Sequence, residues 1–269
     1  TKGDSFAAAR QRAVAALLSP SDAALLSSPN NTLGIEYGRA LLRVGAAPAL
    51  FTIPRTGAAH DVTPENAGGY SASAIRHLLA EGRRADALSR MVPAMRAVYE
   101  AEESAGRAPV FAAACERAIL ARLRSMTPAE FDALDTGHEG VGQRLYNASR
   151  NAATLDDVLD NAKTKRYAYA RLRRMVLWAY LGLTPAKLPA SVPYLRVLAA
   201  NETGRALLGR MRKTARLPVI TKPAAIRSLF PDAQRLFETE SRAADLYALA
   251  YPELTEACGS LWRQNPVMP

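Results

Sequence analysis

The chain has 269 residues, 49% of them hydrophobic, and a net charge of +10. This is enough apolar material for one large domain or two ordinary ones, each with its own core. No run of about 18 apolar residues occurs, which excludes a spanning helix. The opening TKGDSFAAARQRAV lacks the apolar stretch and small-residue cleavage site of a signal peptide. A cytoplasmic chain with no membrane partner is therefore expected. Cys115 and Cys258 have no metal spacing and read as reduced core residues. Ala, Leu and Arg dominate while Val and Ile are sparse, so the fold class is mainly α.

The placement of the charge says more than its size. Between Asn161 and Arg227 stand fifteen Lys and Arg against one acid, Glu202. That segment carries +14 and leaves −4 on the rest of the chain. Such asymmetry points to a polyanionic partner, because cations that neutralise backbone phosphates of RNA or DNA release counterions.

In chain order, SFAAARQRAVAALL (5–18) predicts a helix. NNTLGIEYGRALLRVG (30–45) predicts a loop and then a helix from Leu33 to Val44, capped by Asn31 or Thr32 and closed by Gly45. ALFTI (49–53) reads as a short buried strand ended by Pro54, and 55–70 as a glycine-rich loop. SASAIRHLLAEG (71–82) is a helix opened by serine. Residues 1–82 thus look like the back half of a doubly wound α/β domain, with 83–269 an α-helical region. In the second part, Thr127, Pro128 and Glu130 form a capping box, and Thr154 caps the helix that follows it. AKLPASVPY (186–194) is a proline-punctuated connector. YLRVLAANETGRALLGRMRK reads as strand or helix, then a helix, broken near NETG. LPVITKP (217–223) is a short extended piece, and final helices are expected near 232–250 and 252–263.

KTKRYAYARLRRM (163–175) holds six cations and no acid. Wound as a helix, it places Lys163, Arg166, Arg171, Arg173 and Arg174 on an arc of about 160°. Ala168, Leu172, Met175, Val176 and Ala179 fall opposite, and Lys165 lies off the arc in a lead-in turn. A solvated helix face normally mixes signs. This one reads as a phosphate-contacting face, with Tyr167 in its middle either stacking on a base or packing inward. In SASAIR, the free amides and hydroxyls of a helix N-terminus suit a phosphate, and Arg76 adds a charged fork one turn in; a plain capped helix explains the same residues. Asn30 and Asn31 either cap a helix or bond a nucleotide, and Arg55 follows the predicted strand at its carboxyl end. His60, His77 and His138 have no ligand spacing, so neither a metal site nor a nucleophilic triad is read. His60 and Asp61 read as a loop hydrogen bond.

Taken in order, PNNTLGIEY, IPRTGAAHD, YSASAIR, KTKRYAYARLRRMVLWAYLGL, PYLRVLAANETGRALL and LPVITK resemble the tRNA(Met) cytidine acetate ligase family of the nucleotidylyltransferase superfamily. The resemblance runs along essentially the whole chain. It implies the C-terminal part of an α/β nucleotidylyltransferase (Rossmann-like) domain followed by an α-helical, tRNA-binding domain. It also implies a ligase that activates acetate with ATP, with Mg2+ accompanying the nucleotide, as acetyl-adenylate. The acetyl group then passes to N4 of the wobble cytidine of elongator tRNA(Met). By motif position, Asn30 or Asn31, Arg55, Ser71, Ser73 and Arg76 match ATP-binding positions. Charge places Lys163, Lys165, Arg166, Arg171, Arg173 and Arg174 among the tRNA contacts.

The family's phosphate-binding His-x-Gly-His element has no counterpart in this sequence. The chain alone is therefore expected not to make acetyl-adenylate. Its sheet is expected to keep an open edge that pairs with the missing N-terminal segment or with a second copy. Two classes stay open: this enzyme, or a non-catalytic helical RNA-binding module with a vestigial nucleotide site. Nucleotide transfer to a small metabolite fits less well, since a small substrate needs no surface of +14.

Overall fold

The structure, a computed structural model, describes residues 6–53, 71–135, 140–254 and 257–268. The chain divides into two compact units. One comprises 1–71 together with 163–169, and the other 72–162 together with 170–269.

The first unit contains α1 (Phe6–Ala15), α2 (Pro20–Ala24) and α3 (Pro29–Val44). Two of these start on proline, whose fixed φ suits the first helical position and whose missing N–H would be unpaired there anyway. Ser19 caps α2 by accepting from the Asp22 N–H at 3.2 Å. Asn30, Asn31 and Thr32 therefore lie inside the first turn of α3, and Ser28 holds the cap position instead of Asn31 or Thr32. Gly45 does close α3: at φ 66° it turns the chain left-handed, and Ala46 N–H reaches back to Leu41 O at 3.0 Å. Arg10 ties α1 to α3 through Glu36 (2.6 Å), and Arg39 approaches the same carboxylate at 3.0 Å. Burial alone would raise the Glu36 carboxyl, but the hydrogen bonds from both guanidiniums outweigh it and hold its pKa below the usual range.

The strand expected at 49–53 does not form. Leu50, Phe51 and Ile53 are irregular and largely exposed, Phe51 at 91% and Ile53 at 93%. A strand needs a ladder partner for its backbone groups, and none lies beside this run among the described residues.

The second unit opens with α4 (Ala72–Ala80), α5 (Arg84–Ser89) and α6 (Pro93–Ser104). Its main bundle is α7 (Glu116–Ser125), α8 (Pro128–Asp132), α9 (Val141–Arg150), α10 (Leu155–Ala162) and α11 (Tyr169–Leu181), the last starting at the unit boundary. Helix α9 touches α7, α8 and α10, and buries Val141, Leu145, Ala148 and Ser149 along one face. The capping box forms: Glu130 N–H donates to Thr127 Oγ1 at 3.4 Å, and Thr127 N–H to Glu130 Oε2 at 2.8 Å. Thr154 Oγ1 accepts from Asp157 N–H at 3.1 Å, as expected. Arginines close the helix ends that lack side-chain caps. Arg144 donates to the carbonyls of Ala162 (2.7 Å) and Asn161 (3.0 Å), and Arg150 to that of Met126 (2.7 Å).

Gly142 marks where α8 and α9 meet. A Cβ there would stand 2.8 Å from the Asp132 backbone N and Cα. Gly142→Ala is expected to destabilise the fold by about 1–3 kcal/mol, the usual cost of overpacking. Urea denaturation checks it, and an unchanged midpoint would show that the two helices part freely.

The C-terminal part holds a small parallel sheet. β1 (Leu195–Arg196) and β2 (Val219–Ile220) pair with Leu195 opposite Val219, and α12 (Glu202–Thr214) crosses between them. Asn201 caps α12, accepting from Gly204 N–H at 2.9 Å. The extended reading of 217–223 thus becomes β2. α13 (Pro231–Ala248) and α14 (Ser260–Arg263) complete the chain. The second is far shorter than the helix expected over 252–263, because Gly259 at φ 85° caps its start. Tyr194, Ile220, Ile226, Ala233, Phe237 and Leu261 form the core here. Tyr194 donates to Glu240 at 3.0 Å, and burial, aided by that carboxylate, pushes its phenol pKa well up, so it remains a neutral donor. Cys115 is buried as expected, but Cys258 is exposed; the nine residues before Ser260 form no helix among the described positions, so nothing carries it into the core.

Candidate nucleic-acid interface

Helix α11 starts at Tyr169, so the 13-residue basic stretch is only half helical. The first half turns instead. Thr164 Oγ1 accepts from the N–H groups of Arg166 (3.2 Å) and Tyr167 (3.1 Å), a local alternative to helix winding. The single basic arc is therefore split. Lys163, Lys165 and Arg166 belong to the first unit, and Arg171, Arg173 and Arg174 to the second. The apolar side is as read for four of its five residues, with Leu172, Met175, Val176 and Ala179 buried and Ala168 exposed.

Tyr167 is 7% exposed, so it packs inward and offers no face to a base. Tyr169 is the exposed tyrosine, with Lys163 Nζ 5.5 Å from its ring centre. Arg171 is part-buried in a 2.6 Å ion pair with Asp135 and so is tied into the fold. Lys165 and Arg174 are exposed, and their side chains make no bond among the described residues.

Four arginines between 83 and 107, outside the basic segment, are paired with carboxylates. Arg83 pairs with Asp86 (2.7 Å), Arg84 with Glu103 (2.6 Å), Arg96 with Glu100 (3.0 Å) and Arg107 with Glu102 (2.6 Å). These pairs hold the Glu102 and Glu103 carboxyls below their ordinary range, chiefly through the hydrogen bonds from Arg107 and Arg84. Inside the segment, Arg205, Arg210, Arg212 and Lys213 on α12 stand exposed with no carboxylate partner among the described residues. The α12 cations were not singled out from the sequence, although the Arg205 and Arg212 spacing of two turns was a usable signal.

The nucleotide-contact candidates are dispersed. Asn30 and Asn31 are exposed on the first turn of α3. Ser71 is buried at the end of the first unit. Ser73 and Arg76 are exposed one turn apart on α4, and the Arg76 guanidinium has no partner among the described residues, leaving it available to an anion. Arg55, with His60 and Asp61, lies outside the described residues, as does His138. Among the described residues no three His, Cys, Asp or Glu side chains gather as a metal site. No described helix is long and apolar enough to cross a membrane.

A mainly helical chain with a small parallel sheet is consistent with a nucleotidyltransferase-like fold. The chain belongs to the HIGH nucleotidyl transferase family, whose model matches residues 1–260. Within it, the chain is similar to proteins named tRNA(Met) cytidine acetate ligase. That of Acetivibrio thermocellus is 32% identical over 91% of this chain and 61% of its own length. That of Caldanaerobacter subterraneus is 32% identical over 93% and 62%. The crystal structure of apo Thermotoga maritima TmcAL superposes with a TM-score of 0.89 at 27% identity, covering 99% of this chain and 68% of that one. The TmcAL structure bound with alpha-thio ATP gives 0.87 at 26% identity, over 99% and 67%. The chain thus spans a little over three fifths of the length of those two curated relatives.

Proposed function

We propose that this chain carries the tRNA-contacting region of an ATP-dependent ligase that acetylates N4 of the wobble cytidine of elongator tRNA(Met). In the first step an acetate oxygen attacks the α-phosphorus of ATP, forming acetyl-adenylate and releasing pyrophosphate. In the second the cytidine N4 attacks the acyl carbon, and AMP leaves with the bonding electron pair. On this reading residues 1–82 are the back half of the nucleotidylyltransferase domain and 83–269 the helical tRNA-binding region. The ATP half is supported by the alpha-thio ATP bound to the similar Thermotoga protein. Ser73 and Arg76 are the phosphate contacts, and Asn30, Asn31, Arg55 and Ser71 are further nucleotide contacts by motif position. Mg2+ arrives on the nucleotide's phosphates, as that ion usually does. The enzyme works in the cytoplasm.

The single observation that carries the RNA half is the contrast in charge pairing. Arg83, Arg84, Arg96 and Arg107 are neutralised by carboxylates, whereas Arg205, Arg210 and Arg212 of α12 have no carboxylate partner among the described residues. Unpaired like charges repel one another, and a phosphate backbone relieves that repulsion while releasing counterions. A filter-binding titration of this chain against elongator methionine tRNA, initiator tRNA and duplex DNA at several salt concentrations tests it. Salt-steep binding that prefers the elongator tRNA is expected. Weak binding without preference would reduce the segment to a solvated surface.

A further inference from the structure

A cavity of about 460 Å³ lies between α12, β2 and the C-terminal segment, all within the second unit. Three cations line it, Arg205, Arg212 and Lys222. Thr221 and Asn265 add a hydroxyl and an amide, and Leu208, Pro266 and Met268 make an apolar wall. Arg205, Leu208, Gly209 and Arg212 recur at the spacing of one helix face, so α12 supplies one side as a unit. The opposite side is tied down by backbone. Val267 N–H donates to Leu198 O and Val267 O accepts from Ala200 N–H, each at 3.0 Å, which fixes Pro266 and Met268 on either side.

None of the three cations has a side-chain partner among the described residues. Gathering them in a concavity without a carboxylate costs mutual repulsion, which a bound anion relieves. Inorganic phosphate would use the cations and ignore the apolar wall. A nucleotide uses both: guanidinium forks match phosphate oxygens, and a base or ribose covers the apolar side. The volume lies within the range of about 300–1,000 Å³ usual for small-molecule pockets. We propose that this cavity takes one unstacked nucleotide of the RNA substrate. Its phosphate lies on Arg205, Arg212 and Lys222, and its base against Leu208, Pro266 and Met268. The proposal rests on the RNA reading above and deepens it. Sequence-specific RNA recognition falls mostly on loops whose bases can splay out, and a one-nucleotide pocket supplies a register that an open cationic surface lacks.

The test titrates the full 269-residue chain and two variants with elongator methionine tRNA and with AMP, across a salt series. In Gly209→Leu the new side chain fills the cavity while every charge stays. A Cβ at Gly209 meets nothing within 4 Å, so α12 accepts it. Its tRNA affinity is expected to fall about tenfold, the loss of one base contact, with the salt slope unchanged. Arg205→Ala/Arg212→Ala is expected to weaken binding and lower the slope by about 0.7, the share of the one phosphate that both guanidiniums hold on an unstacked nucleotide. Unaltered melting of both variants by circular dichroism keeps these readings on binding. Full tRNA affinity in Gly209→Leu overturns the cavity and leaves the RNA reading standing. Absence of tRNA binding by the parent chain overturns both. AMP binding that Gly209→Leu abolishes, with tRNA binding untouched, overturns the RNA source in favour of a free nucleotide.

Discussion

Phe237→Ala is expected to cost about 3–5 kcal/mol of stability, the usual loss for a buried phenylalanine cut to alanine. Phe237 is fully buried among Tyr194, Ile220, Ile226, Ala233 and Leu261. Its ring meets Trp262 edge-on at 4.6 Å, and the Arg196 guanidinium lies 5.8 Å from its centre. Those neighbours are Tyr194 and Arg196 at β1 and residues of β2, of the 3-10 turn Pro223–Ser228, of α13 and of α14, so this one side chain joins the C-terminal elements to each other. Urea denaturation followed by tryptophan fluorescence reads the loss, since Trp262 reports on the cluster directly. A loss under 1 kcal/mol would mean that the site collapses onto the void and that the cluster is loosely packed. Phe237→Leu, which keeps most of the volume, is expected to recover most of the stability.

Arg171→Ala and Arg174→Ala are expected to part company, though both lie in the same cationic stretch. Arg171 is bound to Asp135 at 2.6 Å with both side chains mostly buried, at 23% and 16% exposure. Its removal leaves a carboxylate without that partner inside the bundle, and should cost about 1–3 kcal/mol. Its salt slope for tRNA should stay as in the parent chain. Arg174 is exposed and makes no side-chain bond among the described residues. Its removal should leave melting unaltered and lower the salt slope by about 0.9. A lowered slope for Arg171→Ala with normal melting would put Arg171 on the RNA and make its pairing with Asp135 incidental.

Sequence patterns located most helices because their signals are local. Apolar residues at helical spacing marked Leu172, Met175, Val176 and Ala179, all buried. Thr127–Pro128–Glu130 marked a helix start, and the same proline rule, applied at Ser19–Pro20 and Ser28–Pro29, would have found α2 and the true start of α3. The run at 49–53 misled because strand formation depends on a neighbour that no local pattern supplies. The turn at Lys163–Ala168 misled for a different reason. Thr164 offers its hydroxyl to the next amides, and a helical wheel does not register that competition.

The candidate site divides along the same line. Its sign and extent, the +14 of 161–227, follow from composition, since charge adds up without regard to folding. The kinship to the nucleotidyl transferase family was likewise carried by motif order along the chain. Which cations are spent on structure and which stand unpaired was decided only by the tertiary fold. Asp135 lies 36 residues from Arg171 in sequence, and Asn265 lies 60 residues from Arg205, yet one closes an ion pair and the other lines the same cavity. Pairings over such separations depend on how the helices and the small sheet pack, because electrostatic and packing energies act through space while sequence patterns report only neighbours along the chain.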